Sequence, residues 1–350
     1  MTVSPFDHPL LSALLGDEEA ARHFSVEAEI EAMLAFEQAL SQAEADNGMI
    51  SKDAGAAIVA ALGTFRPNTA LLRAGVAKDG VMVPELVRQI RAAVGEPHGQ
   101  KVHFGATSQD VVDTGLMLRL KPVVEHLDLL LTETVMRLAS LEERFGGRAL
   151  TGMTRMQKAI QIKVQDRVAA WQGPLQRHQE KLPEQSRCLL VVQFGGAAGT
   201  LEKLGDKGKA VRAALAVRLG LGDAPQWQNQ RDALADFAGW LSLLTGSLGK
   251  FGQDIALMAQ DGTEIKLSGG GGSSTMPHKQ NPVKAEALVA LARFNATQLA
   301  GLHHALVHEQ ERSGAAWTLE WLLLPQMVVA TAASLRLAAE LAAQVESLGH

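Results

Sequence analysis

Residues 269–286 read GGGGSSTMPHKQNPVKAE and place several chemically useful side chains close together. Four glycines run into the hydroxyls of Ser273 and Ser274, and Lys279, Asn281 and Pro282 follow. Asn is a favoured N-cap and Pro fits the first turn of a helix, so a helix start is predicted here. Backbone N–H groups and the helix dipole favour anions at such a start. The pattern indicates a lid over a carboxylate-bearing ligand, although a flexible Gly/Ser linker has the same composition.

Three further polar clusters lie at predicted helix ends. The sequence HFGATSQD, with His103, Thr107 and Ser108, precedes the longest predicted helix, and Ser108 or Asp110 is expected to cap it. The same residues could form a second anion site, because capping and ligand binding can coexist. The third cluster, GMTRMQK, is also predicted to precede a helix and includes Thr154, Arg155, Gln157 and Lys158. The fourth, HEQERSG, ends a helix and contains Arg312.

Metal and cofactor chemistry find little support in the sequence. His304 and His308 are four residues apart on a predicted helix and could face one zinc ion, but no third ligand stands out. Phosphate-loop, dinucleotide-binding and nucleophile-elbow patterns do not occur. We therefore expect no metal site and no cofactor.

Composition limits the classes of partner. The formal net charge is −5, the chain has no tyrosine, and no basic block occurs, so nucleic-acid binding is not expected. The N-terminus lacks a basic segment before its apolar residues, and no window of 18 uninterrupted apolar residues occurs, so neither a signal peptide nor a membrane span is predicted. The single cysteine, Cys188, fits a cytoplasmic protein and is predicted to be a small buried residue.

Helical spacing of apolar residues dominates the chain. It predicts helices over residues 28–46, 110–144, 160–179, 232–258, 282–307 and 320–348, with Asn47 and Gly48 ending the first. The best alternating stretch is 189–194, and it is brief. Helices this long must bury their apolar stripes against one another, so the expected fold class is all-α, with a long central helix bundle.

The polar clusters together resemble a known set of motifs. The stretch SSTMPHKQNP is similar to the signature of the fumarase/aspartase superfamily, and HFGATSQDVVDT and GMTRMQKA resemble its first and second conserved regions, in the expected order. Within the superfamily, GATSQDVVDTGLMLRL and EQERSGAAWTLEWLLLP most resemble cycloisomerases that lactonize a muconate tricarboxylate. Adenylosuccinate lyases have similar stretches and are the alternative.

This resemblance implies an architecture. It implies an N-terminal helical domain over residues 1–105 and a central bundle domain over 106–345, with the superfamily's C-terminal domain largely absent. It also implies a homotetramer of pooled bundles, in which each active site draws its three conserved regions from three subunits.

The resemblance also implies roles for individual residues. Ser273 occupies the proton-transfer position, Lys279 and Asn281 stabilise the charge that develops on a carboxylate, and Ser274 is the alternative to Ser273. The implied contacts to a small tricarboxylate substrate come from two groups of residues, His103, Thr107, Ser108 and Arg312, and Thr154, Arg155, Gln157 and Lys158.

One position departs from the superfamily pattern. Many lyases of the superfamily carry a histidine where this chain has Arg155, and that histidine pairs with a carboxylate at the position of Glu286. Because the carboxylate is retained, we expect Arg155 and Glu286 to form an ion pair. The substitution argues against a standard fumarate-releasing lyase and fits a cycloisomerase, in which the substrate's own carboxylate is the nucleophile.

Overall fold

The computed structural model of the chain describes residues 3–272, 275–276 and 279–350. Helices make up most of this part of the chain, and the predicted all-α fold class is confirmed. Only short strands accompany the helices.

Six helices precede the first conserved region. They are α1 (Ser12–Leu15), α2 (Glu18–Arg22), α3 (Val26–Asp46), α4 (Lys52–Thr64), α5 (Thr69–Asp79) and α6 (Val83–Val94). Side chains that favour helix starts begin four of them: Asp17, Ser25, Ser51 and Asn68 each accept a hydrogen bond from a backbone N–H of the first turn. As predicted, α3 ends at Asn47, and Gly48 takes a positive φ of 66°.

Longer helices form the centre of the molecule. They are α7 (Ser108–Phe145), α8 (Val164–Leu189), α9 (Gly208–Leu219), α10 (Asp232–Asp261), α11 (Val283–His304) and α12 (Gly314–Ala343). Helix α10 packs along α11, and α12 contacts α7, α10 and α11. Their apolar stripes meet in one buried cluster that includes Leu120 and Leu127 of α7, Leu241 and Leu248 of α10 and Leu335 of α12. Burying these stripes is the main stabilising term for such a bundle.

Helix α12 is the most apolar of the described elements. Among the described residues it is the one helix whose length and composition would suit a membrane span, and 72% of that apolar window is buried inside the protein. Its contacts with α7, α10 and α11 show that its neighbours in the bundle cover it. Its apolar character therefore reflects a core position.

Two antiparallel strand pairs accompany the helices, the first of them a hairpin. β1 (Ala149–Thr154) pairs with β2 (Gln157–Lys163), and β3 (Ile265–Leu267) pairs with β4 (Val345–Leu348). Two predicted boundaries were therefore wrong: residues 160–163 and 345–348 are strands, not parts of helices. The alternating stretch 189–194 forms only an isolated bridge between Val191 and Gly222.

Cys188 lies near the end of α8 and is exposed in the single chain. The prediction of a buried cysteine was wrong. Leu182 and Leu189 supply the buried face of this part of α8, and Cys188 faces away from it.

Candidate active site

The motif loop, residues 269–281, is closed at its base by two backbone hydrogen bonds. Gly271 N–H donates to Asn281 O, and Asn281 N–H donates to Gly271 O, both at 2.9 Å. Between these ends, Lys279 is exposed and its N–H donates to Met276 O at 3.0 Å. Ser273 and Ser274 lie outside the described residues. Gly271 and Asn281 thus form an isolated antiparallel β-bridge at the base of the loop.

The glycines of this loop have different structural reasons. Gly269 has a φ of 77°, which favours glycine. A Cβ on Gly271 would lie 2.5 Å from Cγ2 of Val283, whereas a Cβ on Gly272 would meet nothing within 4 Å. Close packing, and not only freedom to swing, therefore explains part of the glycine run.

The helix after the loop begins one residue later than predicted. Its first helical residue is Val283, its N-cap position is Pro282, and no side chain caps it. Asn281 does not act as the cap, because its backbone is engaged in the bridge to Gly271. Glu286 is exposed in the first turn of α11, where the helix dipole stabilises an acidic side chain.

The entry loop of α7, residues 103–107, carries the first conserved region. Thr107 occupies the N-cap position, and Asp110 accepts a hydrogen bond from its N–H at 2.9 Å. Of the two expected caps, Ser108 is instead the first helical residue, whereas Asp110 does cap the helix start, from the first turn and as one half of a capping box with Thr107. Nδ1 of His103 lies 2.6 Å from Oε1 of Glu37 on α3.

Asp110 also ties this region to a loop that sequence reasoning missed. Its fully buried carboxylate accepts hydrogen bonds from Gln193 Nε2, Gly195 N and Gly196 N at 2.9–3.0 Å. Burial raises the pKa of Asp110 to about 6, although these donors and the Thr107 N–H oppose the rise. The glycine-rich sequence GGAAGT, which begins two residues after Gln193, was the one feature that could have marked this loop. Nothing in the sequence paired it with Asp110, which lies 85 positions before Gly195.

Arg312 joins the same group of loops. Its Nε donates to Gln109 Oε1 at 2.9 Å, and its Nη2 donates to Ala197 O at 3.2 Å. Gln109 in turn donates to Gln228 O at 2.7 Å. Arg312, the α7 entry loop and the glycine loop at 195–199 are therefore neighbours within one chain.

A buried ionic network supports this neighbourhood. Arg231 donates to Asp113 Oδ2 at 2.6 Å and to Glu320 Oε1 at 2.8 Å, and Trp317 Nε1 donates to Asp113 Oδ1 at 2.9 Å. Burial lowers the pKa of Arg231, but Asp113 and Glu320 together raise it by more than burial lowers it. Arg231 therefore stays charged. Buried charges are tolerated when paired in this way. The network connects α7, α12 and the segment before α10.

His304 and His308 do not lie on one helix. Helix α11 ends at His304, and the His308 side chain is buried 3.8 Å from Glu320. Across the described residues, no group of three or more His, Cys, Asp or Glu side chains is placed to hold a metal ion.

The second conserved region lies on a hairpin, not before a helix as predicted. Thr154 pairs with Gln157 across the turn, and the two turn residues Arg155 and Met156 have φ values of 48° and 65°. Two consecutive positive φ values match the tight turns that suit the strand twist of a hairpin. The turn exposes all four candidate residues, Thr154, Arg155, Gln157 and Lys158.

The hairpin and α10 enclose a cavity of about 410 Å³. Arg155 and Lys158 line it, together with Arg167, Lys250 and acidic side chains that include Asp254. Neither the motif loop nor the α7 entry loop contributes to its lining. The second conserved region therefore lines this cavity.

Lys279, Asn281 and Glu286, which belong to the described part of the motif region, are not joined to the other two conserved regions by polar contacts. Within the described part of the chain, no hydrogen bond or ion pair links Lys279, Asn281 or Glu286 to the hairpin or to the α7 entry loop. The expected ion pair between Arg155 and Glu286 is also absent within one chain. An arrangement in which different subunits supply the regions is compatible with this separation.

Comparisons with known proteins give a consistent result. A family model described as "Lyase" matches residues 16–295. The chain is 40% identical over 321 residues to the 3-carboxy-cis,cis-muconate cycloisomerase of Pseudomonas aeruginosa, which covers 89% of this chain and 70% of that protein. It is 34% identical over 324 residues to the N-acetyl-S-(2-succino)cysteine lyase of Enterococcus italicus, with 89% and 70% covered.

A solved structure agrees with these relatives. The 3-carboxy-cis,cis-muconate lactonizing enzyme from Pseudomonas putida superposes with a TM-score of 0.89 at 37% sequence identity, covering 97% of this chain and 77% of that chain. The chain thus spans roughly three quarters of the length of the relatives it matches.

Proposed function

Because the chain belongs to the fumarase/aspartase superfamily of lyases, we propose that it is a 3-carboxy-cis,cis-muconate cycloisomerase. The observation that carries the proposal is the identity of 36–40% to three proteins of that name, which extends over about nine tenths of the chain. Arg155, in place of the histidine of fumarate-releasing lyases, supports the same choice.

The proposed reaction is an isomerisation of the acid form; near neutral pH the substrate trianion takes up one proton, which solvent replaces on the proton donor, and becomes a lactone dianion. One carboxylate oxygen of the substrate forms a bond to a carbon of a conjugated C=C bond. The π electrons move to the neighbouring carbon and onto its carboxylate as an aci-carboxylate, and a proton then adds to that carbon. Protocatechuate degradation by the β-ketoadipate route is the metabolic context that this substrate implies.

Lys279 and Asn281 are proposed to stabilise the charge of the aci-carboxylate. Lysine supplies a compact positive charge and the asparagine amide supplies N–H donors. Donors held in place before the charge develops are commonly the largest catalytic term, at about 3–4 kcal/mol for one donor. The bridge between Gly271 and Asn281 supports this role, because it fixes the backbone from which the Asn281 side chain projects.

Ser273 is proposed as the group that delivers the proton, with Ser274 supporting it. A hydroxyl needs cationic or N–H neighbours to act as an acid or base near neutral pH. The charge of Lys279, in the same motif loop, is the candidate neighbour.

Cations and hydroxyls are proposed to bind the tricarboxylate. His103, Thr107, Ser108 and Arg312 would come from one group of loops, and Thr154, Arg155, Gln157 and Lys158 would come from the hairpin. Glu286 is proposed to support Arg155 from another subunit. The ligands of the tricarboxylate are then all protein side chains, so the reaction needs no metal ion or organic cofactor.

A homotetramer is the proposed assembly. It would allow the hairpin, the motif loop and the α7 entry loop of three subunits to meet. Residues 1–105 and 106–345 are the proposed domains. A cytoplasmic location without nucleic-acid or membrane partners is proposed from the net charge and the buried position of α12.

The test is a direct assay with 3-carboxy-cis,cis-muconate and no added metal or cofactor. Loss of the ultraviolet absorbance of the conjugated diene, with formation of a lactone of the same mass, is expected. A parallel assay with adenylosuccinate measures fumarate release. Fumarate release without lactone formation would overturn the proposal in favour of a lyase.

A further inference from the structure

A buried carboxylate holds one nitrogen of His103. Nδ1 lies 2.6 Å from Oε1 of Glu37, and the side chains are 13% and 1% exposed. Glu37 is in the middle of α3, a helix of 21 residues, so its position is set by secondary structure and not by a loop.

The backbone conformation of His103 and its second ring nitrogen indicate that the imidazole points in a fixed direction. His103 has a φ of 63°, an uncommon conformation for a residue other than glycine and one found more often at functional sites. Nε2 has no hydrogen-bond partner among the described residues, and the ring keeps some exposure. The imidazole is thus anchored on the inside and open on the outside, in the same loop that leads to Thr107 and Ser108.

Charged groups around His103 favour its protonated form. Burial, the largest single cause, and Arg91 of α6 lower its pKa, but the charge and hydrogen bond of Glu37 together with the charge of Asp110 on α7 outweigh them, so the pKa is raised above the ordinary 6.5. Glu44 lies one heptad further along α3. Burial and Glu37 raise its pKa to about 9, so near neutral pH Glu44 is uncharged and Glu37 is the carboxylate that faces the imidazole.

We propose that Glu37 is a positioning residue that keeps His103 doubly protonated and directs its Nε2–H outward to bind a substrate carboxylate. This inference rests on the proposed function, because it assigns His103 to a tricarboxylate site. Histidine charged in this way adds a cation to the hydroxyls of Thr107 and Ser108. A carboxylate bound by a charged donor forms a shorter and stronger hydrogen bond than one bound by a neutral donor.

The first test is the pH dependence of KM in the variant Glu37→Gln. Glutamine can still accept from Nδ1–H but carries no charge, so burial and Arg91, opposed by Asp110, would lower the pKa of His103. The pH at which KM begins to rise is expected to fall, with kcat changed less than threefold. At a pH above the midpoints of both proteins, the KM of the variant is expected to exceed that of the wild type by about tenfold for each pH unit by which the midpoint is lowered.

Two variants on the same helix are controls. Glu37→Asp keeps the charge and should return the midpoint towards the wild-type value. Glu44→Gln should leave the midpoint unchanged up to pH 8, because Glu44 is already neutral there. If Glu37 had only a structural role, Glu37→Gln would instead lower thermal stability and activity, and the midpoint of the KM profile would stay unchanged.

A direct readout does not depend on turnover. Protein labelled with ¹³C at the histidine Cε1, assigned with His103→Gln, gives the pKa of His103 by NMR, and citrate serves as a tricarboxylate probe. A lower pKa and weaker citrate binding in Glu37→Gln are expected. An unchanged pKa in Glu37→Gln, or additive effects of Glu37→Gln and His103→Gln on KM, would overturn the inference. Absence of lactone formation by the wild type would instead count against the proposed function.

Discussion

At the scale of single residues, proton delivery depends on one hydroxyl. Replacing Ser273 with alanine should lower kcat by about 10²–10⁴-fold, the usual contribution of a positioned proton donor. Ser274→Ala is the matched variant and should cost far less. Steady-state lactone formation measures both, with circular dichroism as the check on folding. Near-normal turnover of Ser273→Ala would remove Ser273 from the mechanism.

Glu44 makes a separate prediction about stability. Its carboxylate oxygens are buried without hydrogen-bond partners, and its folded pKa of about 9 exceeds the ordinary 4.5. The folded state therefore binds the extra proton. The extra proton on folded Glu44 contributes to the free energy of unfolding. This contribution is fully present below about pH 4.5 and is lost as pH rises towards 9, by no more than about 1.4 kcal/mol per pH unit.

Glu44→Gln should remove that pH dependence. The melting temperature of the variant is expected to gain on that of the wild type as pH increases from 5 to 8. Thermal unfolding at several pH values measures the difference. A constant difference between the two proteins across this range would contradict the assignment of a raised pKa.

The residues of the candidate site differ in how far sequence could locate them. The identities in the motif loop were visible, because hydroxyl, cation and amide are adjacent in the chain. The partners Glu37 and Gln193 could not be found, because they lie 66 and 83 positions from the residues they contact. Their contacts depend on how the helices pack.

At the scale of elements, the base of the motif loop depends on close packing. A Cβ on Gly271 would lie 2.5 Å from Val283, so Gly271→Ala should displace the bridge to Asn281 and lower kcat about tenfold or more. Gly272→Ala is the control, because its Cβ would meet nothing within 4 Å. Equal kcat values for the two variants would show that the bridge does not position Asn281.

Long helices were predictable and the short strands were not. Apolar spacing located α7 and α10 to within three residues at each end, because each helix buries a continuous stripe. Strand β2 is exposed along nearly its whole length, and apolar and polar residues alternate in it only over the four residues 160–163, too short a stretch to predict a strand. Val345 and Leu348 continue the helical spacing of α12, although Gln344 ends that helix and β4 follows.

At the scale of the whole molecule, shared sites predict complementation. Ser273→Ala and Gln157→Ala alter the motif loop and the hairpin, which are proposed to come from different subunits. Co-expressed in equal amounts, the two inactive chains should form tetramers with about a quarter of the wild-type activity, since each region has an even chance of being intact. Mixed tetramers as inactive as either parent would indicate that one chain supplies both regions.

The position of Cys188 has a practical consequence for studying that assembly. It is the one sulfhydryl in the sequence, and the single chain leaves it accessible at the end of α8. Where the assembly leaves this end of α8 exposed, a maleimide dye attaches at one defined place per subunit without any mutagenesis. Chains carrying donor and acceptor dyes, mixed and followed by energy transfer, would report subunit exchange in real time.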